Sequence, residues 1–191
     1  MKKDLGPISA VFPMPVLMIA TYGSDGTVDV MNAAWGMIGA EDKIVLFLDE
    51  DHKTTKNILE RKAFTVSLAD KAHMDAADYY GMASGNDTPD KFSRTGYTAV
   101  KSGYVDAPVI EEFPLAMECL LADIIDRDNI YAAVGKIVNV RADEAVLGDE
   151  GKVAPEKLNA LIFDTFGGGY YSVGEKAGQA WNEGAVFMDK Q

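Results

Sequence analysis

The sequence is poor in the residues that hold metal ions and form disulfides, because its 191 residues include two histidines and one cysteine. Two histidines, His52 and His73, exclude a histidine-rich metal site, and a single cysteine excludes a disulfide within the chain. We therefore predict no metal site and no disulfide-stabilised secreted domain. The cysteine, Cys119, lies in a largely apolar run from Leu115 to Ala122, which favours a buried thiol over a catalytic one.

Positive charge is also scarce. Lys and Arg number 18 against 30 Asp and Glu, so the formal net charge is −12. An acidic surface repels nucleic-acid phosphates and anionic membranes. Near the N-terminus, the uninterrupted apolar run from Val16 to Ala20 is far shorter than the ~20 residues of a membrane-spanning helix. We predict a cytoplasmic protein that binds neither nucleic acid nor a membrane.

Motifs typical of common enzyme classes are missing as well. The sequence has no G-x-G-x-x-G after a predicted strand, no G-x-x-x-x-G-K-[ST], no H-E-x-x-H and no G-x-S-x-G. These absences argue against a doubly wound nucleotide-binding fold, a P-loop protein, a zinc protease and an α/β-hydrolase. We identify no catalytic residue from the sequence.

Short apolar segments separated by turns predict a mainly β domain. The predicted strands are 16–22, 28–34, 43–48, 63–68, 115–125 and 131–140, with a turn at 126–129. The predicted helices are 54–62, 72–83 and 89–95, followed by a late helix or loop at 154–163. No repeat or long linker divides residues 1–191, which we treat as one domain. Six strands without regular βαβ alternation favour a closed or sandwiched antiparallel sheet with helical decorations.

One segment is a local exception to the acidic charge. Residues 52–62 carry Lys53, Lys56, Arg61 and Lys62 around the predicted start of a helix. A helix N-terminus presents free backbone N–H groups and the positive end of the dipole, and Thr54, Thr55 and Asn57 add donors. The segment therefore suits a phosphate group. A surface helix capped by Thr54 or Thr55 would need the same threonines, so both interpretations remain open here.

The region 167–171 is similarly ambiguous. Gly167–Gly169 favours a flexible connection over a phosphate cradle, because no Lys-Ser/Thr at a helix start follows it. The next residues, Tyr170 and Tyr171, could stack on a planar ligand or lie in a dimer interface.

Seven short segments, taken in order, carry a resemblance to a known family. They are Pro13-Met-Pro15-Val16, Val30-Met-Asn-Ala-Ala-Trp35, His52-Lys-Thr-Thr-Lys-Asn-Ile58, Asp90-Lys-Phe92, Asp106-Ala-Pro108, Met117-Glu-Cys119 and Tyr170-Tyr-Ser-Val-Gly174. In this order and spacing the chain resembles the flavin reductase-like family of FMN-binding split β-barrels, and within it the flavoredoxin-type branch. The resemblance extends from about residue 7 to about residue 180.

The resemblance implies a six-stranded antiparallel Greek-key barrel that dimerises and binds FMN near the dimer interface. It implies that the stretch 32–35 lines the isoalloxazine ring and that Tyr170 approaches the flavin from one subunit to the other. The residues that it implies for the phosphate are Lys53, Thr54, Thr55 and Asn57. The residues assigned in this way to the cofactor site are Met31, Asn32, Ala33, Ala34, Trp35, Lys53, Thr54, Thr55, Asn57, Lys91, Phe92 and Tyr170.

The implied function is an FMN-dependent oxidoreductase that passes reducing equivalents from NAD(P)H or a reduced protein donor through FMN. Two alternatives remain: a non-enzymatic FMN electron carrier, and a split-barrel sensor or binding module without redox activity. The chain departs from the family pattern at two places. It has Asp49-Glu-Asp51 where members carry a basic residue before the phosphate loop, and Asn129-Ile-Tyr131 where many carry a histidine near the flavin.

Overall fold

The computed structural model describes residues 1–188, which form strands and short helices around one seven-stranded sheet. The strands are β1 (Met14–Pro15), β2 (Leu17–Tyr22), β3 (Val28–Ala33), β4 (Gly36–Ala40), β5 (Lys43–Phe47), β6 (Ala63–Leu68), β7 (Ala99–Lys101), β8 (Pro108–Ile110), β9 (Leu115–Arg127), β10 (Ile130–Ala142), β11 (Leu161–Phe163) and β12 (Tyr170–Ser172). The α-helices are α1 (Lys53–Arg61), α2 (Met74–Met82), α3 (Lys91–Arg94) and α4 (Pro155–Leu158). No helix within this range is both long and apolar enough to cross a lipid bilayer.

The main sheet has the order β3-β2-β6-β9-β10-β5-β4, and every neighbouring pair is antiparallel. Its two edge strands, β3 and β4, follow each other in the chain, so the sheet must curl for residues 34–35 to connect them. Gly36 marks this closure, because a Cβ there would lie 2.6 Å from Leu17 Cδ1 and 2.9 Å from Leu46 Cδ2. The result is the predicted split barrel.

Both faces of β2 are buried, and its alternating side chains enter two different cores. Leu17 and Ile19 point into the barrel, where they join a cluster that includes Phe64 and Cys119. The intervening residue Met18 points outward and packs with Tyr80 of α2 in a second cluster. Helix α2 therefore lies against the outer surface of the barrel beside β2 and β3. This packing leaves a cavity between α2 and β3.

The predicted turn at 126–129 is a two-residue loop between β9 and β10. Asp128 and Asn129 have φ values of 54° and 63°. Positive φ at both central residues is the backbone of a type I′ hairpin turn, which Asp and Asn tolerate better than most residues. The strands therefore run to Arg127 and Ile130, further than the sequence predicted.

The structure corrects four details of the predicted layout. The main sheet has seven strands instead of six, because β4 is a partly exposed edge strand of sequence GMIGA that lacks polar–apolar alternation. Most of the segment 154–163 is not helical: α4 ends at Leu158 and β11 follows, pairing with β1 and β12. The N-cap position of helix α1 is His52, whose side chain makes no capping bond, and Thr54 and Thr55 lie inside the first turn. Helix α2 begins at Met74, after a short 3-10 turn at Lys71–His73.

Gly135 of β10 provides a test of barrel packing. A methyl group at this position would overlap Cζ of Phe64 and come within 3.2 Å of its Cε1 and Cε2. Phe64 is fully buried, so its ring has no free space to enter. We expect Gly135→Ala to lower the free energy of unfolding by about 1–3 kcal/mol in urea denaturation.

The matched control for this substitution is Gly103→Ala, because no described atom lies within 4 Å of its Cβ position. We expect this control to change stability by less than about 0.5 kcal/mol. Equal stabilities for the two variants would contradict the packing of Phe64 against β10.

Candidate functional site

Two adjoining cavities lie between β3, the start of α1 and the end of α2. The helix cavity, of about 150 Å³, is lined by Met31, Asn32, His52, Lys53, Thr54, Tyr80, Gly81, Met82, Ala83, Ser84, Gly85 and Lys91. The aromatic cavity, of about 310 Å³, is lined by Val16, Asn32, Ala34, Trp35, Asp78, Gly81, Met82, Phe163 and Tyr170. Because Asn32, Gly81 and Met82 line both, the two cavities form one elongated site.

The start of α1 forms one wall of the helix cavity. Its cap residue, His52, makes no side-chain capping bond to any described residue. The first turn, Lys53 to Thr55, contains no acidic side chain, and Lys53 is half-buried at the cavity wall. The first backbone N–H groups of a helix have no intrahelical acceptor and carry the positive end of its dipole. This end of the site therefore favours a negatively charged group.

A buried ion pair fixes the floor of the helix cavity. Lys91 Nζ lies 3.3 Å from Asp29 Oδ1 and donates a 3.0 Å hydrogen bond to the carbonyl oxygen of Ala83. Thr54 Oγ1 donates to Asp29 Oδ2 at 2.5 Å. Lys91 and Asp29 are 3% and 5% exposed, so neither charge can be satisfied by bulk water. The cluster of Asp29, Thr54 and Lys91 thus ties β3, α1 and α3 together.

Two further polar side chains of α1 point into the protein. Thr55 Oγ1 donates to the carbonyl oxygen of Asp49 at 2.7 Å, and Asn57 Nδ2 donates to Thr21 Oγ1 at 3.0 Å. Both residues are buried, and neither lines a cavity. The side-chain donors expected from Thr54, Thr55 and Asn57 are therefore committed within the protein, whereas the backbone N–H groups of Lys53 to Thr55 have no acceptor among residues 1–188.

A hydrogen-bond network crosses the aromatic cavity. Asn32 Nδ2 donates to the carbonyl oxygen of Ala77 at 3.0 Å and to Tyr170 Oη at 3.3 Å. Tyr170 Oη donates to Asp78 Oδ1 at 2.9 Å. Both amide hydrogens of Asn32 are thus engaged, which fixes the amide orientation and leaves its oxygen as an acceptor. Burial, followed by the bond to Asp78, raises the pKa of Tyr170, so the phenol keeps its proton.

Aromatic side chains form the rest of this wall. The ring centroid of Phe163 lies 6.2 Å from that of Trp35 and 6.1 Å from that of Tyr170. The pairing of Phe163 with Tyr170 across β11 and β12 places these two rings together. Trp35 is 48% exposed and stands at the edge of the cavity. Tyr170 makes these contacts within its own chain, and its approach to the flavin of a second subunit stays a prediction.

The sequence-based residues divide into two groups. Those that line the two cavities are Met31, Asn32, Ala34, Trp35, Lys53, Thr54, Lys91 and Tyr170. Ala33 instead packs against the barrel core, Thr55 and Asn57 are buried behind the helix cavity, and Phe92 stacks on Tyr80 with ring centroids 6.4 Å apart. Strand alternation explains Ala33, because its neighbours Asn32 and Ala34 point to the opposite face.

Sequence reasoning did not assign ten residues of the two linings to the site: Val16, His52, Asp78, Tyr80, Gly81, Met82, Ala83, Ser84, Gly85 and Phe163. Gly81 was the one residue with a signal in the sequence. A glycine inside a helix is destabilising relative to alanine, so its presence indicates that a neighbour packs closely there. A Cβ at Gly81 would lie 3.3 Å from Asn32 Cβ, so the glycine permits the close approach of α2 to β3. Asp78, Met82 and Phe163 carry no local signal that sets them apart from surface or core residues.

Comparison with known proteins identifies the class to which this fold and site belong. Residues 9–173 match the model of the flavin reductase-like domain. The chain therefore belongs to the flavin reductase-like family of split β-barrels. Within that family it lies in the flavoredoxin branch, since it is 36% identical to the flavoredoxin of Desulfovibrio vulgaris (Miyazaki F). That match has a TM-score of 0.91 and covers 96% of this chain and 100% of the flavoredoxin.

More distant relatives also match the chain. A flavoredoxin from Methanosarcina acetivorans is 24% identical, with a TM-score of 0.87 and coverage of 98% of this chain and 100% of that one. A protein of Aquifex aeolicus (strain VF5) is 22% identical over 174 residues, 86% of each chain. Family membership supports a flavin cofactor and a redox role for this chain.

The buried ion pair under the helix cavity gives a prediction about stability. Replacing Lys91 by Met leaves the Asp29 carboxylate buried without its cation. We expect Lys91→Met to lower the free energy of unfolding by about 3–5 kcal/mol in urea denaturation.

The control is Arg94→Met in the same helix. Arg94 pairs with Asp90 at 2.9 Å, but the two side chains are 56% and 57% exposed. An exposed pair of this kind contributes less than about 1 kcal/mol. Similar losses for the two variants would refute the structural role assigned to the cluster.

Proposed function

We propose that the chain binds FMN across the two adjoining cavities and works as an FMN-dependent oxidoreductase. The observation that carries this proposal is the joining of an uncapped helix start to an aromatic cavity through Asn32 and Gly81. FMN matches these two parts of the site, because it has a dianionic phosphate at one end and a planar ring at the other. Family membership and the flavoredoxin match support the same cofactor.

The phosphate belongs at the start of α1. Backbone N–H groups of the first turn and the ammonium of Lys53 are the donors that remain uncommitted there. Lys91 adds little net charge at the same cavity because Asp29 neutralises it. Thr54 supports the phosphate end indirectly, through its bond to Asp29.

The flavin ring belongs in the aromatic cavity. Small residues at positions 34 and 81 allow the ring to approach the backbone, and the oxygen of Asn32 is oriented to accept a ring N–H. Trp35, Phe163 and Tyr170 cover the ring and exclude water from it. The bound flavin supplies the redox chemistry by taking up two electrons from a donor and passing them to an acceptor. The chain binds the flavin, orients it and controls access to it.

A carboxylate-rich surface next to Trp35 favours a protein redox partner as the alternative to NAD(P)H. This surface surrounds a cavity of about 850 Å³ whose lining includes Asp49, Glu50, Asp126 and Asp128. Four exposed carboxylates repel the phosphates of NAD(P)H and attract a basic protein. We therefore keep the FMN electron carrier as the second candidate function.

We also propose a homodimer, as the family resemblance implies. Outward-facing apolar side chains of three neighbouring strands, Met37, Phe47 and Ile130, are 64%, 40% and 48% exposed. The pairing registers place the three on one face of the sheet. A second copy of the chain would remove this apolar surface from water.

FMN binding tests the proposed function. We expect purified protein to bind FMN at one per chain, measured by flavin absorbance after gel filtration. We expect Lys53→Ala to raise the Kd for FMN about tenfold or more, because a hydrogen bond to a charged group contributes about 1.5–3 kcal/mol.

The control is Lys56→Ala, which removes the same charge from the same helix. Lys56 is 53% exposed and lies 4.0 Å from Asp51, away from both cavities. We expect its Kd to stay within about twofold of the wild type. Absence of FMN binding would overturn the proposal. Equal effects of the Lys53 and Lys56 substitutions would show that the phosphate does not bind at Lys53.

Anaerobic mixing of the FMN-loaded protein with NADPH or NADH distinguishes the two candidate functions. An NAD(P)H-dependent oxidoreductase bleaches at 450 nm within seconds under these conditions. An electron carrier bleaches only when a reduced protein donor is added, so rapid bleaching by either nucleotide would exclude the pure carrier.

A further inference from the structure

The aromatic cavity contains one carboxylate and no opposing cation. Asp78 lines this cavity, and among the described residues the lining includes no Lys, Arg or His. Asp78, Gly81 and Met82 lie on one face of α2 because they are three and four residues apart. Residues 75, 76 and 79 line a separate surface cavity and not the aromatic cavity. Asp78 is therefore the acidic group of α2 that faces the proposed ring site.

A neutral donor holds this carboxylate in place. Asp78 Oδ1 accepts the hydrogen bond from Tyr170 Oη at 2.9 Å, and Tyr170 Oη accepts from Asn32 Nδ2. The raised pKa of Tyr170 means that the phenol remains uncharged as a donor. Asp78 forms no ion pair within residues 1–188. The two lysines nearby line the helix cavity, where Lys91 is paired with Asp29.

We infer that Asp78 lowers the midpoint potential of the bound flavin, because its charge weakens the binding of reduced flavin relative to oxidised flavin. This inference rests on the proposed function. A flavin that takes up two electrons and one proton gains one negative charge, with the electrons supplied by NAD(P)H or a reduced protein donor. The negative charge of Asp78, which is half-buried at the cavity wall, repels this added charge, whereas neutral oxidised flavin is little affected. Asp78 shifts the equilibrium between oxidised and reduced flavin through its charge. This effect requires no proton transfer by Asp78.

Asp78→Asn tests the inference directly, because it removes the charge and keeps an oxygen that can accept from Tyr170. The measurements are the Kd of oxidised FMN and the midpoint potential of bound FMN, obtained by anaerobic equilibration with a reference dye. We expect the ratio of the Kd of reduced FMN to that of oxidised FMN to fall about tenfold. Tenfold corresponds to a rise of about 30 mV for a two-electron couple.

The matched control is Asp75→Asn, which removes an exposed carboxylate of the same helix that lines the separate surface cavity and not the aromatic cavity. We expect the Kd ratio of this variant to stay within about twofold of the wild type. A second variant, Met82→Lys, adds a positive charge at the cavity through a side chain that is 79% exposed, so it does not disturb the core. It should shift the ratio in the same direction as Asp78→Asn.

The outcomes separate the inference from the proposed function. Wild-type protein that binds no FMN would overturn the proposed function together with the inference. Wild-type protein that binds FMN, with an unchanged ratio in Asp78→Asn, would overturn the inference alone. If Asp78→Asn does not fold, Met82→Lys decides, and an unchanged ratio in that variant overturns the inference. An equal shift in Asp75→Asn would also overturn it, because the effect would then be one of overall charge.

Discussion

The buried cluster of Asp29, Thr54 and Lys91 is the interaction on which the arrangement of the site depends. It joins the edge strand β3 to the start of α1 and to α3. Because two of these elements are helices, the hydrogen bonds of the sheet do not link them. Burying two charges is unfavourable unless each is paired and hydrogen-bonded, so the cluster tolerates few alternative geometries. The start of α1 is consequently held beside β3 at the wall of the helix cavity.

A second set of contacts fixes the other end of the site relative to the first. Gly81 lets α2 approach β3, and Asn32 bonds to both the α2 backbone and Tyr170. Because Asn32 lines both cavities, it fixes the position of the aromatic wall relative to the start of α1. The site is thus assembled by a few polar contacts on the outside of the barrel, while the barrel core supplies the rigid support.

Sequence reasoning predicted the fold class and the family, and both are confirmed. Strands with strong alternation or continuous burial, such as β2 and β6, were located to within a residue. Strand β4 and the residue Asp78 were missed for a common reason. Their roles arise from neighbours distant in the chain, namely β5 for the edge strand and Tyr170 for the carboxylate. The sequence placed donors at positions 54, 55 and 57, but only tertiary structure determines that their side chains turn inward.

The central claim is that one elongated site holds FMN with its phosphate at α1 and its ring between Asn32 and the aromatic wall. A crystal structure of the protein grown with FMN measures both ends at once. The account predicts the phosphate within hydrogen-bond distance of the backbone N–H groups in the first turn of α1, and the ring against Trp35 and Tyr170. A phosphate bound away from α1, or a ring outside the cavity formed by Asn32, Ala34 and Gly81, would contradict it.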